Sequence, residues 1–238
     1  MSIYQGEEQI LENRDFQASK HGWEGLINYN PDEIERRSFE IITEELGDRT
    51  LDPLQEPVIK RVIHTSADFE YLDNLLFSQD VILTAHQAIR DGAHIVTDTR
   101  MAQAGVNKNR LASRGGSVHC FMSDPDVIAE AKARGCTRAT ICVERGFELQ
   151  NKLGEKVIFA IGNAPTALIH IYNLIMEGKE SPALIVAAPV GFVNVIEAKE
   201  LIEKLPVPSI IAKGRKGGSN IAAAICNALI YEAVGRDQ

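Results

Sequence analysis

His64 is the histidine with company. Lys60 and Arg61 precede it by four and three residues, which on a helix is one face. Two adjacent cations favour the neutral imidazole, and an arriving polyanion reverses that preference. This suits an acid/base residue that becomes charged as substrate binds; the plainer reading is a surface histidine on an amphipathic helix. The other histidines are His21, His86, His94, His119 and His170, and no pair has H-E-x-x-H or similar spacing. A protein-bound metal is therefore not expected. Cys120, Cys136, Cys142 and Cys226 form no C-x-x-C pair and read as reduced, buried thiols of a cytoplasmic protein. No G-x-S-x-G elbow points to a hydrolase.

Four turns carry the remaining chemistry. Thr97-Asp98-Thr99-Arg100-Met101 closes a strand, and Thr97 and Asp98 read as capping residues at the next helix in preference to a ligand contact. In Gly162-Asn163-Ala164-Pro165-Thr166-Ala167 the backbone N–H groups are free to hold an anion, unless this is an ordinary short turn. Ala188-Pro189-Val190-Gly191-Phe192-Val193 is a rigid turn whose Phe192 is either a floor for a flat ligand or a packed side chain. Lys213-Gly214-Arg215-Lys216-Gly217-Gly218-Ser219-Asn220 joins glycines, two further cations and a helix-capping serine. It is the strongest anion-site signal in the chain, the plainer reading being a solvated, flexible loop. It is neither G-x-x-x-x-G-K-[ST] nor G-x-G-x-x-G, which counts against nucleotide-dependent chemistry.

The elements that must position these residues follow from periodicity. Continuous apolar runs at Leu75–Phe77, His94–Thr97, Val118–Met122, Val157–Ile161, Ala183–Ala187 and Ser209–Ala212 predict strands. Helical stretches separate them at about 79–91, 124–149, 165–177, 194–204 and 219–234. Apolar runs without alternation mark a parallel sheet covered on both faces. The expected fold is a single α/β domain, a doubly wound, mostly parallel sheet with helices on both faces. Upstream, Pro31 opens a helix on which Ile34, Ser38, Ile41 and Ile42 form an inward stripe and Gly47 marks the stop. A second helix starts near Pro57, with Val58, Ile59, Val62 and Ile63 as its apolar side. Residues 1–28 read as an N-terminal arm and residues 29–238 as the α/β domain.

The chain has 238 residues, with 25 Lys+Arg against 33 Asp+Glu and a formal charge of −8. That excludes a general nucleic-acid binder, which needs a basic face. It leaves room for a local basic site. No run of about 18 apolar residues spans a membrane, and Met1–Glu12 is too polar for a signal peptide.

Several segments, in order, resemble the precorrin-8X / cobalt-precorrin-8 methylmutase family of cobalamin biosynthesis. Arg37-Ser38-Phe39-Glu40-Ile41-Ile42 is similar to its SF-x-II helix, and Arg61-Val62-Ile63-His64 to the segment that carries its catalytic histidine. Met101-Ala102-Gln103-Ala104-Gly105-Val106 is similar to M-x-x-x-G-I/V, and Thr137-Arg138 to its TR pair. Gly162 to Leu168 reproduces GNAPTAL; Pro189 to Val193, with Glu197 and Lys199 following, resembles PVGFVGAAESK; Gly214 to Ser219 resembles GR-x-GGS. His64-Thr65-Ser66-Ala67-Asp68-Phe69 is closer to the HTTADF of the anaerobic, cobalt-handling branch than to the HACG of the aerobic one.

The resemblance implies an isomerase that moves a methyl group from C-11 to C-12 of the macrocycle by a 1,5-sigmatropic shift. It needs no separate cofactor, and any cobalt arrives inside the substrate. It implies His64 as the acid/base residue, Ser38 and Arg61 as substrate contacts, and a homodimer. The substrate's rim of carboxylates adds Arg138, Asn163, Thr166, Arg215, Lys216 and Ser219 as expected polar contacts. Phe192 and Met101 are the expected apolar ones. The partner is a corrinoid small molecule, with no nucleic acid or membrane. Three rivals remain at this point: the metal-free precorrin-8X enzyme, a non-catalytic corrinoid carrier, and a nucleotide-dependent oxidoreductase.

Overall fold

The computed structural model describes residues 30–154 and 156–235. The expected arm, residues 1–28, lies outside them. The chain divides into two compact units, one up to Arg49 and one from Thr50 onward.

The first unit contains α1 (Pro31–Leu46). Asn30 caps it reciprocally: its side chain accepts the Glu33 N–H at 3.0 Å, and the Glu33 carboxylate accepts the Asn30 N–H at 3.1 Å. Gly47 ends it at φ 57°, as expected. The inward stripe is not as read from periodicity. Ile34 and Ile41 are exposed and Ile42 is buried. Ser38 donates back to the Ile34 carbonyl at 2.8 Å.

The second unit runs α2 (Glu56–Ser66), α3 (Tyr71–Asn74), β1 (Leu75–Phe77), α4 (Val81–Arg90), β2 (His94–Thr97), α5 (Arg100–Gly105), α6 (Lys108–Ala112) and β3 (Val118–His119). It continues with α7 (Pro125–Arg134), α8 (Arg138–Leu153), β4 (Val157–Ile161), α9 (Pro165–Met176), β5 (Leu184–Ala187), α10 (Val195–Glu203), β6 (Ser209–Ala212) and α11 (Ser219–Val234). The sheet order is β1-β6-β5-β4-β2-β3. All neighbours are parallel except β1, which pairs antiparallel with β6. The fold is thus the expected α/β class with a mostly parallel sheet.

Strands β4, β5 and β6 are buried at every position, as their unbroken apolar sequences require. Helices α8, α9 and α10 pack together and reach β4, β5 and β6. A second group, α2, α4, α5 and α6, gathers around α11, which lies against β4 and β5. Ten of the sixteen α11 residues are buried, so its apolar character all round reflects a helix enclosed by neighbours. Cys142 and Cys226 are buried and burial pushes both thiols up to about 12, whereas Cys120 and Cys136 are only half-buried.

Two elements differ from expectation. The strand read over Val118–Met122 stops at His119, where pairing with β2 ends. The helix read over 124–149 is two helices. Gly135 terminates α7 in the left-handed conformation at φ 63°, and Thr137 caps α8 by accepting the Thr140 N–H. Among the described residues no helix is long and apolar enough to cross a membrane.

Gly146 shows how closely α8 meets the sheet. A Cβ there would lie 2.5 Å from Cε1 of the buried Phe159 ring on β4. Alanine gains about 1 kcal/mol of helix propensity over glycine, but forcing a methyl into a filled core costs about 1–3 kcal/mol. Gly146→Ala should therefore lower the urea midpoint, and Gly146→Ala with Phe159→Leu should lose less than the two single changes summed.

Candidate functional site

The expected turns meet at the carboxyl ends of β2, β4, β5 and β6, and a buried carboxylate joins the first two. Asp98 follows β2 and is 2% exposed. One carboxylate oxygen accepts the Gly162 N–H at 2.8 Å; the other accepts the N–H groups of Asn163 at 2.8 Å and Ala164 at 2.6 Å. The anion that this turn's donors call for is therefore the protein's own. Burial holds the Asp98 carboxyl above its ordinary range, and the three N–H donors counter that only in part. Thr97 and Asp98 are not the helix cap they were read as. Thr99 caps α5, accepting the Ala102 N–H at 3.0 Å, while Thr97 Oγ1 donates to the Thr99 and His119 carbonyls.

The β4 turn in turn abuts the start of α11. A Cβ on Gly162 would fall 2.7 Å from Ser219 Cα, so no larger residue fits. Ser219 Oγ shares a 2.7 Å hydrogen bond with Thr99 Oγ1, closing the circuit back to β2. The β5 and β6 turns lock by backbone alone. Gly218 N–H donates to the Ala188 carbonyl at 2.8 Å and Gly191 N–H to the Arg215 carbonyl at 3.2 Å. A Cβ on Gly217 would sit 2.2 Å from that same Ala188 oxygen.

Around this platform the side chains divide. Phe192 is 85% exposed, and the Arg215 guanidinium carbon lies 5.7 Å from its ring centroid. That is an apolar face with a cation on it. Met101 is 71% exposed at the head of α5. Asn163 is exposed, and Thr166 shares a 3.0 Å hydrogen bond with Thr137 beside Arg138, which donates to the Met122 carbonyl. Lys216 bridges to Asp68 at 2.6 Å and Glu70 at 2.8 Å. These carboxylates raise Lys216 above its ordinary range, and Lys216 holds Asp68 below its own. Asp68 lies four residues beyond His64, so this pair ties the basic loop to the segment that follows the His64 helix.

His64 is exposed in the last turn of α2, which packs on α11. Lys60 pairs with Glu56 one turn back. Arg61 lies over the Tyr231 ring at 5.1 Å. Tyr231 is twelve residues along α11 from Ser219, about 18 Å at helical rise, so Arg61 stands apart from the basic loop. Ser38 belongs to the first compact unit and is described with it.

Sequence reasoning missed two residues of the platform. Asp98 was read locally, although a turn rich in unpaired N–H groups two strands later asked for an acceptor. Lys199 sits on the buried face of α10 with Val195, Ala198 and Ile202 and is 2% exposed. A lysine at a buried position of an apolar stripe was its signal. Its ammonium donates to the carbonyls of Gly214 and Lys216, both at 2.8 Å.

The Asp98 clamp predicts a large effect from one atom. Asp98→Asn leaves three N–H donors facing one acceptor oxygen and an NH₂ group. It should cost about 2–4 kcal/mol, from the unpaired-donor and broken-charge penalties together. Equilibrium urea unfolding checks this, and a wild-type midpoint would show that the clamp contributes nothing.

Comparison with known proteins covers most of the chain. The CbiC precorrin-8X methylmutase family model matches residues 33–232. The chain is 45% identical over 203 residues to cobalt-precorrin-8 methylmutase of Priestia megaterium, covering 85% of this chain and 88% of that one. It is 44% identical over 210 residues to cobalt-precorrin-8 methylmutase of Salmonella typhimurium, covering 84% and 95%. The crystal structure of precorrin-8x methyl mutase from Thermus thermophilus superposes with a TM-score of 0.76 at 40% identity, covering 84% of this chain and 96% of that one. The chain belongs to the precorrin-8X methylmutase family and is an isomerase, a methylmutase that moves a methyl group within its substrate.

Proposed function

We propose that this chain moves the methyl group from C-11 to C-12 of cobalt-precorrin-8, giving cobyrinate. The observation that carries this reading is the joined platform of turns. It leaves one exposed aromatic, Phe192, beneath a guanidinium, with an exposed histidine on the helix whose following segment is tied to the same loop. Such a surface suits a flat macrocycle with carboxylates on its rim. The cobalt form is supported by the names of the Priestia and Salmonella relatives and by the segment His64 to Phe69.

In this reading His64 donates a proton, or a hydrogen bond, to the conjugated ring and makes the migration terminus electron-poor, or acts instead on a side-chain carboxylate. Arg215, Lys216 and Arg138 meet rim carboxylates; Asn163, Thr166, Ser219 and Arg61 supply further polar contacts; Phe192 and Met101 meet the ring face. The GNA turn supplies no backbone anion site, because Asp98 occupies those three donors. The methyl group never leaves the substrate, so no methyl donor enters, and cobalt travels as part of the substrate. The working unit is a homodimer in the cytoplasm; the four unpaired cysteines suit a reducing compartment.

General acid–base help is worth about 10²–10⁴-fold, or about 3–5 kcal/mol. His64→Ala should therefore lose about that factor in kcat while still binding cobyrinate, both read from the visible spectrum. Unchanged turnover would favour a carrier instead. Offering cobalt-precorrin-8 and precorrin-8X side by side tests the metal, and a preference for the metal-free compound would overturn the cobalt assignment.

A further inference from the structure

Lys199 is the only buried lysine or arginine among the described residues. Among the described residues no carboxylate accompanies it. Burial alone lowers it to about 8. Of the elements packed on α10, helix α9 carries His170 and Tyr172, and β5 and β6 carry no ionisable side chain. His170 is engaged with Glu144. Glu197, Glu200 and Glu203 on α10 itself are exposed. A cation kept in such surroundings has to be hydrogen-bonded, and its partners are the two carbonyls on either side of Arg215. The Arg215 carbonyl in turn accepts from Gly191, and its guanidinium lies over Phe192. The loop has glycines at 214, 217 and 218, and so little stiffness of its own. The cross-links that fix it run through this ammonium, through the β5 turn, through the Lys213 N–H to the Asn74 carbonyl and through the Lys216 pairs with Asp68 and Glu70.

We infer that Lys199 is a positioning residue for substrate: its ammonium holds Gly214 to Lys216 in the conformation that presents Arg215 and Lys216 to the carboxylates of the macrocycle. The inference rests on the proposed function. It separates from a merely structural role through pH. Above about pH 8 the folded protein loses the charge, and a neutral amine donates weaker bonds. The hold on the loop slackens and KM rises. Stability does not fall with it. The folded value is lower than that of an unfolded lysine, so the unfolded chain binds the extra proton between pH 8 and roughly 10.4. The contribution of this group to stability therefore rises through that window.

The test is steady-state kinetics of the full chain on cobalt-precorrin-8 from pH 7 to 9, for wild type, Lys199→Met, Arg215→Ala and the double variant. Methionine keeps the length and removes the charge, a change that buried cations often tolerate. Lys199→Met should raise KM about tenfold, leave kcat within about threefold, and abolish the alkaline rise in KM seen in the wild type. Adding it to Arg215→Ala should change KM little further, since both act through one loop. A wild-type KM in Lys199→Met, or an alkaline rise that persists in it, overturns the inference. If Lys199→Met does not fold, a flat wild-type KM from pH 7 to 9 overturns it as well. A wild type that neither converts cobalt-precorrin-8 nor binds cobyrinate would instead undo the functional reading. A wild type that does both while Lys199→Met matches it undoes only this step.

Discussion

A carboxylate taken out of water costs several kcal/mol unless its lone pairs are met, and Asp98 meets that cost with three backbone N–H groups from a single turn. Hydrogen bonds to a charged acceptor contribute about 1.5–3 kcal/mol each. Three of them offset much of a penalty of that size, although burial still holds the carboxyl above its ordinary range. The requirement for all three dictates the path of Gly162, Asn163 and Ala164. It thereby sets where α9 begins and how close Gly162 comes to Ser219. From there the Ser219–Thr99 hydrogen bond returns to β2. One buried charge thus makes three strand ends into a single rigid piece.

Lys199 solves the converse problem on the other side of the platform. Asp98 draws on N–H donors, Lys199 on carbonyl acceptors, and neither uses an opposite charge. Backbone dipoles held in place by the sheet do not reorganise when a ligand arrives, which is the condition for an electrostatically preorganised site. Pairing Asp98 with Lys199 would have removed both charges from this work. Matching each to main chain leaves two turns fixed by charge and the exposed cations above them available to solvent-borne anions.

Most strands were legible because a fully covered parallel strand must be apolar at every position, and Val157–Ile161 and Ser209–Ala212 are nearly so. The glycine-rich segment after β6 was legible as a strand-to-helix turn because glycines interrupt both strand and helix patterns. What stayed hidden depends on partners far away in the chain. Nothing near Asp98 says that it reaches residues 162–164, and local capping chemistry offers a sufficient explanation for it. The edge strand was overestimated because pairing ends where β2 ends, not where hydrophobicity ends. The 124–149 helix was read as continuous because its break, Gly135-Cys136-Thr137, is a stop and a start placed back to back. The inward stripe of α1 failed because Ile34 and Ile41 follow the period without being buried.

The charge of −8 is compatible with a polyanionic substrate for a reason visible in the ion pairs. Arg134 and Arg145 are engaged by Glu130, Glu144, Glu148 and Asp126 on α7 and α8. Lys216 is also paired, with Asp68 and Glu70, at a partly solvent-accessible position where a substrate carboxylate can compete for it. Among the described residues Arg215 faces an aromatic ring instead of a carboxylate. A cation over a ring keeps its full charge toward an approaching anion, whereas a cation in a tight carboxylate pair does not. The sum of charges therefore says little about the site. What matters is which cations are held by acids, and the loop that Lys199 braces carries one that is not.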